Sequence, residues 1–317
     1  MTVIWDDDLD DIFAGDLTVG LGYRTPAGGV VVQAVAPIGL RDRGRGTLGF
    51  TTSLGFSKKL ERIAADPRVA LAFHAREHGR ATATHYVLAQ GTASVIEQPS
   101  DAMRSLIRTQ ANAYLGPPRE GWFWDRWLRE YYVSRVPVEV TVTRIVSWPT
   151  LDAAGGAQSV QGEPLPLQPA GPQRPPKNGV GPRIDVARAA KRLRATTHTL
   201  LGYAGADGAP VVVPVEIGAD DERGIALRSA TPLPPGGRRA GLLGHSYRAQ
   251  LIGLETRQHT GWLDVEGDPD ARYAPHTETG YKAPANKTLL LLNGALAKKG
   301  VRQAARKPKH EPGRRDR

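Results

Sequence analysis

Two hydroxyls, a serine and two lysines fall close together as Thr51-Thr52, a short loop, and Ser57-Lys58-Lys59. Thr47 to Thr52 reads as a strand. Ser57 to Ala65, with Leu60, Ile63 and Ala64 on one helical face, reads as a helix that Asp66-Pro67 stops. A strand delivering two hydroxyls toward the first turn of a lysine-bearing helix gathers donors, positive charge and free amide N–H groups in one volume. Those are the requirements of a phosphate site. The same residues also suit a capped surface helix with solvated lysines, and composition alone does not separate the two.

Other constellations point to less. Gly20-Leu21-Gly22 opens like a dinucleotide fingerprint but has no third glycine and no helix behind it, so it reads as the approach to a hairpin. His74, His78 and His85 span a strand, a turn and a strand; three histidines suit zinc or an axial haem position, but solvated strand ends are their commoner setting, and no metal is expected. No serine sits in a Gly-x-Ser-x-Gly elbow, so hydrolase chemistry has no support. The chain has no cysteine, which excludes disulfides, thiolate metal sites and a cysteine nucleophile. Redox chemistry would therefore belong to a bound organic cofactor or a haem. Asp6 to Asp11 lacks the glycine and terminal glutamate of a cation loop and reads as an acidic helix start.

The elements that must position these residues are mostly strands. Asp16 to Tyr23 and Val30 to Ile38 flank a turn cluster, Arg24 to Gly29. Val69 to His74, Tyr86 to Val95 and Val136 to Trp148 add strands, and Leu9 to Gly15 and Ala102 to Tyr114 add helices. Strands without regular helix alternation predict an antiparallel barrel. Residues 151 to 182 hold seven prolines and six glycines and read as an extended, solvated linker. It divides the chain into residues 1–150, a second unit at 183–297 and a tail at 298–317.

The second unit reads as a worn copy of the first. Leu201-Gly202-Tyr203 and the strand from Val211 mirror Leu21-Gly22-Tyr23 and the strand from Val30. Ile225 to Ala230 parallels the strand ending Thr51-Thr52, Gly237-Arg238-Arg239 falls where Ser57-Lys58-Lys59 falls, and Thr260 to Gly267 falls where Thr84 to Gly91 falls. Shared order makes duplication the better explanation.

At 317 residues, 40% hydrophobic and 23% charged, the composition suits two ordinary domains, and no apolar run approaches the ~18 residues of a membrane span. Acidic residues follow the first five residues in place of a basic and apolar leader, so a cytoplasmic location is expected. From Lys298 to Arg317 nine Lys or Arg face two acids, which puts about +7 of the net +10 in the tail. The tail has no aromatic residue to stack on bases, so no specific nucleic-acid partner is expected.

The Thr51-to-Lys59 stretch, the strand Val31 to Pro37, the strand Tyr86 to Ala93 and the closing Arg144-Ile145-Val146-Ser147-Trp148 together resemble the pyridoxamine 5′-phosphate oxidase-like, flavin-binding split-barrel superfamily. The resemblance covers roughly residues 10–148 well and 195–285 loosely. It implies a mainly β (α+β) fold of two tandem split β-barrels of antiparallel strands with small flanking helices. It further implies Thr51, Thr52, Ser57 and Lys59 as ligands of a cofactor phosphate with Lys58 nearby, and backbone groups of Gln33, Ala34 and Val35 at the polar edge of the flavin ring. Tyr86 and Trp148 match positions near the cofactor in many relatives, often from the partner barrel; aromatic packing between barrels is their other reading. The basic strand residue and the Arg-x-His pair of true pyridoxamine phosphate oxidases are missing, which disfavours vitamin B6 oxidation.

The expected function is an FMN- or deazaflavin-dependent oxidoreductase that moves a hydride to or from a small organic substrate, with no catalytic side chain assigned. The alternative is a flavin- or haem-binding storage protein without turnover. Arg41, Arg43 and Arg45 would suit a deazaflavin's anionic tail, and a solvated hairpin loop explains them as well. Single-barrel relatives form dimers, so the two barrels are expected to pair within the chain, with a homodimer allowed.

Overall fold

Apolar residues at alternate positions of Val19–Arg24 (β1) and Val30–Val35 (β2), joined through a turn in which Gly28 takes φ +81°, make the first hairpin. A computed structural model describes residues 3–53, 57–116, 135–267 and 271–282. Before that hairpin comes a helix, Asp7–Gly15 (α1), capped by Asp6, whose carboxylate accepts from the Leu9 N–H. After it come Arg41–Asp42 (β3), Thr47–Ser53 (β4), the helix Ser57–Ala65 (α2), Arg68–Phe73 (β5), Tyr86–Val95 (β6), the helix Asp101–Leu115 (α3), Arg135–Trp148 (β7) and Ser159–Gly162 (β8). The second half holds the helix Val186–Arg194 (α4), His198–Ala204 (β9), Pro210–Pro214 (β10), Glu216–Asp221 (β11), Gly224–Arg228 (β12), Arg238–Ser246 (β13), Glu255–Val265 (β14) and Ala271–Lys282 (β15).

The first sheet runs β2-β1-β5-β6-β7-β4-β3, with β8 added to β7, and the second runs β10-β9-β13-β14-β15-β12-β11. Adding eight to each strand number of the first order produces the second. All pairings are antiparallel, and an Ala36–Thr51 bridge curls the first sheet until β2 meets β4. The fold is thus mainly β: two tandem split barrels with small flanking helices.

Register makes the copies comparable residue by residue. Leu21 pairs with Leu71 and Leu201 with Leu242, so the two Leu-Gly-Tyr segments are equivalent. Both halves carry a bulge at the same place, Gln90/Gly91 in β6 and Thr260/Gly261 in β14. The glycines are required there: a Cβ at Gly91 would lie 2.1 Å from the Thr141 carbonyl oxygen, and one at Gly261 2.2 Å from that of Ala274. Two details of the sequence alignment change. Gly261, and not Gly267, answers Gly91. Gly237-Arg238-Arg239 leads into β13, the counterpart of β5, and residues 229–237 contain no counterpart of α2.

Three large apolar cores and a small one at Ala36, Ile38 and Leu40 are formed among the described residues. Leu21, Phe50, Phe73 and Val140 belong to the first barrel, and Leu201, Leu242, Leu263 and Tyr273 to the second. Val32, Ala72, Tyr86, Trp148, Leu200, Val212 and Leu243 form a third core, contributed by both halves. Each large side chain taken from water contributes ~1.5–3 kcal/mol. Contacts across this third core are reciprocal. A Cβ on Gly22 would meet Val212, and one on the equivalent Gly202 would meet Val32, which is equivalent to Val212.

The segment 151–182 is mostly exposed but not free throughout. Its β8 pairs with β7, Ala153 and Ala170 are buried, and Gln173 donates from its backbone to Gly237 O at 2.7 Å and from Nε2 to Gly28 O at 3.1 Å. The basic tail 298–317 lies outside the described residues. No helix among the described residues is long and apolar enough to cross a membrane.

Candidate functional site

Closure of the first barrel assembles the hydroxyl-rich stretch. Thr51 pairs with Pro137 of β7 on one side and with Ala36, just beyond β2, on the other. Gln33, Ala34 and Val35 are thereby carried toward Thr51 and Thr52, although some fifteen residues of chain separate them. Thr51 and Thr52 are both buried, and Thr51 Oγ1 has no hydrogen-bond partner. A buried hydroxyl without a partner is unfavourable, and a ligand oxygen would satisfy it.

The helix α2 begins at Ser57, the next described residue after β4. It is oriented by Ile63, wholly buried in the first core, and by Leu60 packed against it. Ala64, read from sequence as part of this face, is exposed, and Lys59 takes the inward place at 6% exposure while Lys58 faces solvent. An ammonium this far from water must be compensated by acceptors or an anion, so the helix spends burial on a cation.

A polar cluster joins this region to the second half. Val35 packs into the first core and Ala34 against the core between the halves, so Gln33 shares the side of Val35. Gln33 Nε2 donates to Gln258 Oε1 of β14 at 3.1 Å, and Thr279 Oγ1 donates to the same oxygen at 3.3 Å. Burial pushes the Tyr23 hydroxyl up in pKa, and its hydrogen bonds with Arg62 of α2 and with Gln258 oppose the shift. Gln33 Oε1 is buried without a partner. Sequence reasoning missed Tyr23, Arg62 and Gln258 because the cluster needs five elements from both halves.

Tyr86 and Trp148 pack between the halves. They pair across β6 and β7 with ring centres 5.2 Å apart, and the Tyr86 hydroxyl donates to the Val212 carbonyl across the core between the halves. Burial holds the Tyr86 pKa well above its ordinary value. Both side chains belong to the core between the halves.

The histidines are regrouped as well. His74 meets neither His78 nor His85 but His198 and His245 of the second half, with ring centres 5.4 and 4.9 Å away. His74 Nδ1 lies 2.9 Å from Ala72 O, so it donates there and Nε2 accepts from His245 Nε2 at 2.7 Å. Register makes His74 and His245 equivalent positions of the two copies, which meet each other on the local two-fold. Aligning the copies through Leu21 and Leu201 is the signal that could have found them. Burial is the main cause lowering the pKa of all three, that of His74 to about 3. Among the described residues no group of three His, Cys, Asp or Glu is arranged to hold a metal ion.

Arg41 pairs with Asp10 at 2.7 Å, Arg43 with Asp7, and Arg45 with Glu139 at 3.0 Å. The acidic run thus starts α1 and neutralises the arginine loop beside it.

No protein-family model and no curated protein matches the sequence. Solved structures do, at low identity. General stress protein 26 from Bacillus anthracis str. Sterne is 18% identical over 44% of this chain and 91% of its own, with a TM-score of 0.30. A pyridoxamine 5′-phosphate oxidase-related, FMN-binding protein from Nostoc punctiforme PCC 73102 is 8% identical over 63% of this chain and 87% of its own, with a TM-score of 0.30. A heme-binding protein from Mycobacterium smegmatis spans 96% of this chain and all of its own, at 13% identity and a TM-score of 0.33.

Proposed function

We propose that this chain is a flavin-dependent oxidoreductase with one cofactor site in its first barrel, FMN ahead of deazaflavin. The observation that carries the reading is the Ala36–Thr51 closure, which joins the strand of Gln33 to Val35 to the strand of Thr51 and Thr52 and so to α2. The unpartnered Thr51 hydroxyl and the buried Lys59 fit a phosphate, and the unpartnered Gln33 carbonyl oxygen fits a polar ring edge. A bound flavin would supply the two-electron chemistry. The chain's own part is to hold phosphate with Thr51, Thr52, Ser57 and Lys59, with Lys58 nearby, to orient the ring along β2, and to exclude water with the second half. FMN is favoured because Arg41, Arg43 and Arg45 already face carboxylates and leave that loop without spare charge for an anionic tail. The second half takes the place of a partner subunit in this reading, and the reciprocal Gly22–Val212 and Gly202–Val32 contacts support it.

Titration of the purified chain with FMN and with deazaflavin, followed by absorption and fluorescence, tests the assignment. FMN is expected to bind, and Lys59→Ala with Thr51→Ala to weaken it roughly ten- to a hundredfold while the fold persists. Binding of neither cofactor, or unchanged affinity in the double variant, would overturn it. Anaerobic reduction of the loaded protein by nicotinamide or deazaflavin donors then separates an enzyme from a storage protein, which would hold flavin without turnover.

A further inference from the structure

We propose that the Gln33 side chain is a specificity-determining group whose carbonyl oxygen accepts a hydrogen bond from the imide N–H of the cofactor ring, and that Gln258 of the second half is its positioning residue. The inference rests on the flavin reading above and concerns which ring atoms the site recognises.

The amide of Gln33 is held at one end only. Its nitrogen donates to Gln258 Oε1, an oxygen that also receives the Thr279 hydroxyl, while Gln258 is bonded in turn to the Tyr23 hydroxyl that Arg62 engages. Rotating the Gln33 amide would set two carbonyl oxygens against each other, so Oε1 stays at the end away from Gln258, buried and without a donor. A buried acceptor without a donor selects for a ligand that brings one. Phosphate brings acceptors, and a hydrocarbon edge brings nothing. The imide of a flavin or deazaflavin ring brings an N–H between two carbonyls.

Divergence between the copies points the same way. Counting back from the equivalent bulge glycines Gly91 and Gly261, Gln258 answers Leu88, which is buried in the core between the halves. An amide therefore stands in the second half where its copy has a packing residue, and it stands only where it meets Gln33 of the intact first barrel.

The test compares FMN with N3-methyl-FMN, which lacks the imide proton, on the full chain. The wild type is expected to bind the methylated ring about ten times more weakly or worse. Gln33→Leu should bring the ratio of the two affinities close to one, Gln33→Glu should keep it because an acceptor remains, and Gln258→Leu should reduce it by freeing the Gln33 amide. A merely structural loss would weaken both ligands together and leave the ratio unchanged. An unchanged ratio in Gln33→Leu, or no discrimination in the wild type, would overturn the inference while the flavin reading stands. Failure of the wild type to bind either ring would remove that reading itself.

Discussion

The Tyr86 hydroxyl shows how far a residue's surroundings decide its role. It is wholly buried and gives its one proton to the Val212 carbonyl of the other half. Tyr86→Phe is therefore expected to destabilise the protein by about 1–3 kcal/mol, since it strands a buried carbonyl, and to leave FMN affinity unchanged. Urea denaturation beside an FMN titration checks both parts; a loss of affinity without a loss of stability would return Tyr86 to the site. Arg144 crosses the same boundary at 5% exposure, donating to Gln90 Oε1 at 2.8 Å and Asp207 at 2.9 Å while Gln90 donates to Pro210 O. Removing one member of such a buried network leaves the others unsatisfied. Arg144→Met should accordingly cost more than removal of an exposed pair such as Arg43 with Asp7.

Between the two halves, β13 and β2 meet backbone against backbone. A Cβ at Gly241 would lie 2.5 Å from the Val30 carbonyl oxygen and 3.1 Å from Val31 Cα, both backbone atoms that cannot turn aside. Gly241→Ala should thus force the sheets apart and destabilise the chain by ~1–3 kcal/mol or more. Its signature would be a lower thermal midpoint and faster amide exchange in β2 and β13, and wild-type exchange there would contradict it. Most elements were legible because their periodicity is local: α2 and β6 have the bounds read from sequence. The strands β3 and β8 were missed because they are short and exposed, and only a neighbouring strand defines them. The helix face was misjudged by one position because Lys59, a charged residue, points inward beside Ile63.

Across the whole molecule, the meeting of the copies sets a pH dependence. His74, His198, His245 and His259 all have lowered pKa values with burial as the largest cause, about 3 for His74 and about 4 for His259. Unfolding returns each to ~6.5, so the unfolded chain binds more protons than the folded one below that pH. Their contribution is complete above pH ~6.5 and is lost as pH falls toward the folded values, at up to ~1.4 kcal/mol per unit for each group. Burial moves Asp16 the other way, to about 8 against the pull of Arg76, so its contribution is lost as pH rises toward that value. Stability should therefore peak at about pH 6.5 and fall on acidification. Urea midpoints measured from about pH 4.5 to about pH 8 check this. Replacing His74 and His245 together by leucine should reduce the acid slope by at least about half; an identical slope would show that these rings are not what the acid acts upon.

The sequence by itself determined what is local or repeated. Alternation and turn residues wrote the strands, Pro and Gly marked the segment between the halves, and the second Leu-Gly-Tyr segment disclosed the copy. A short motif sufficed to gather the hydroxyls and lysines, because Thr51 to Lys59 are neighbours along the chain. Only the tertiary structure decided which residues meet across distance. Barrel closure set Ala36 against Thr51, and packing of the copies set Gln33 against Gln258 and His74 against His245. The reason is physical: periodicity shows which face of an element is apolar, but not which other element will cover it, and the groups left polar on those faces acquire partners only when the sheets close.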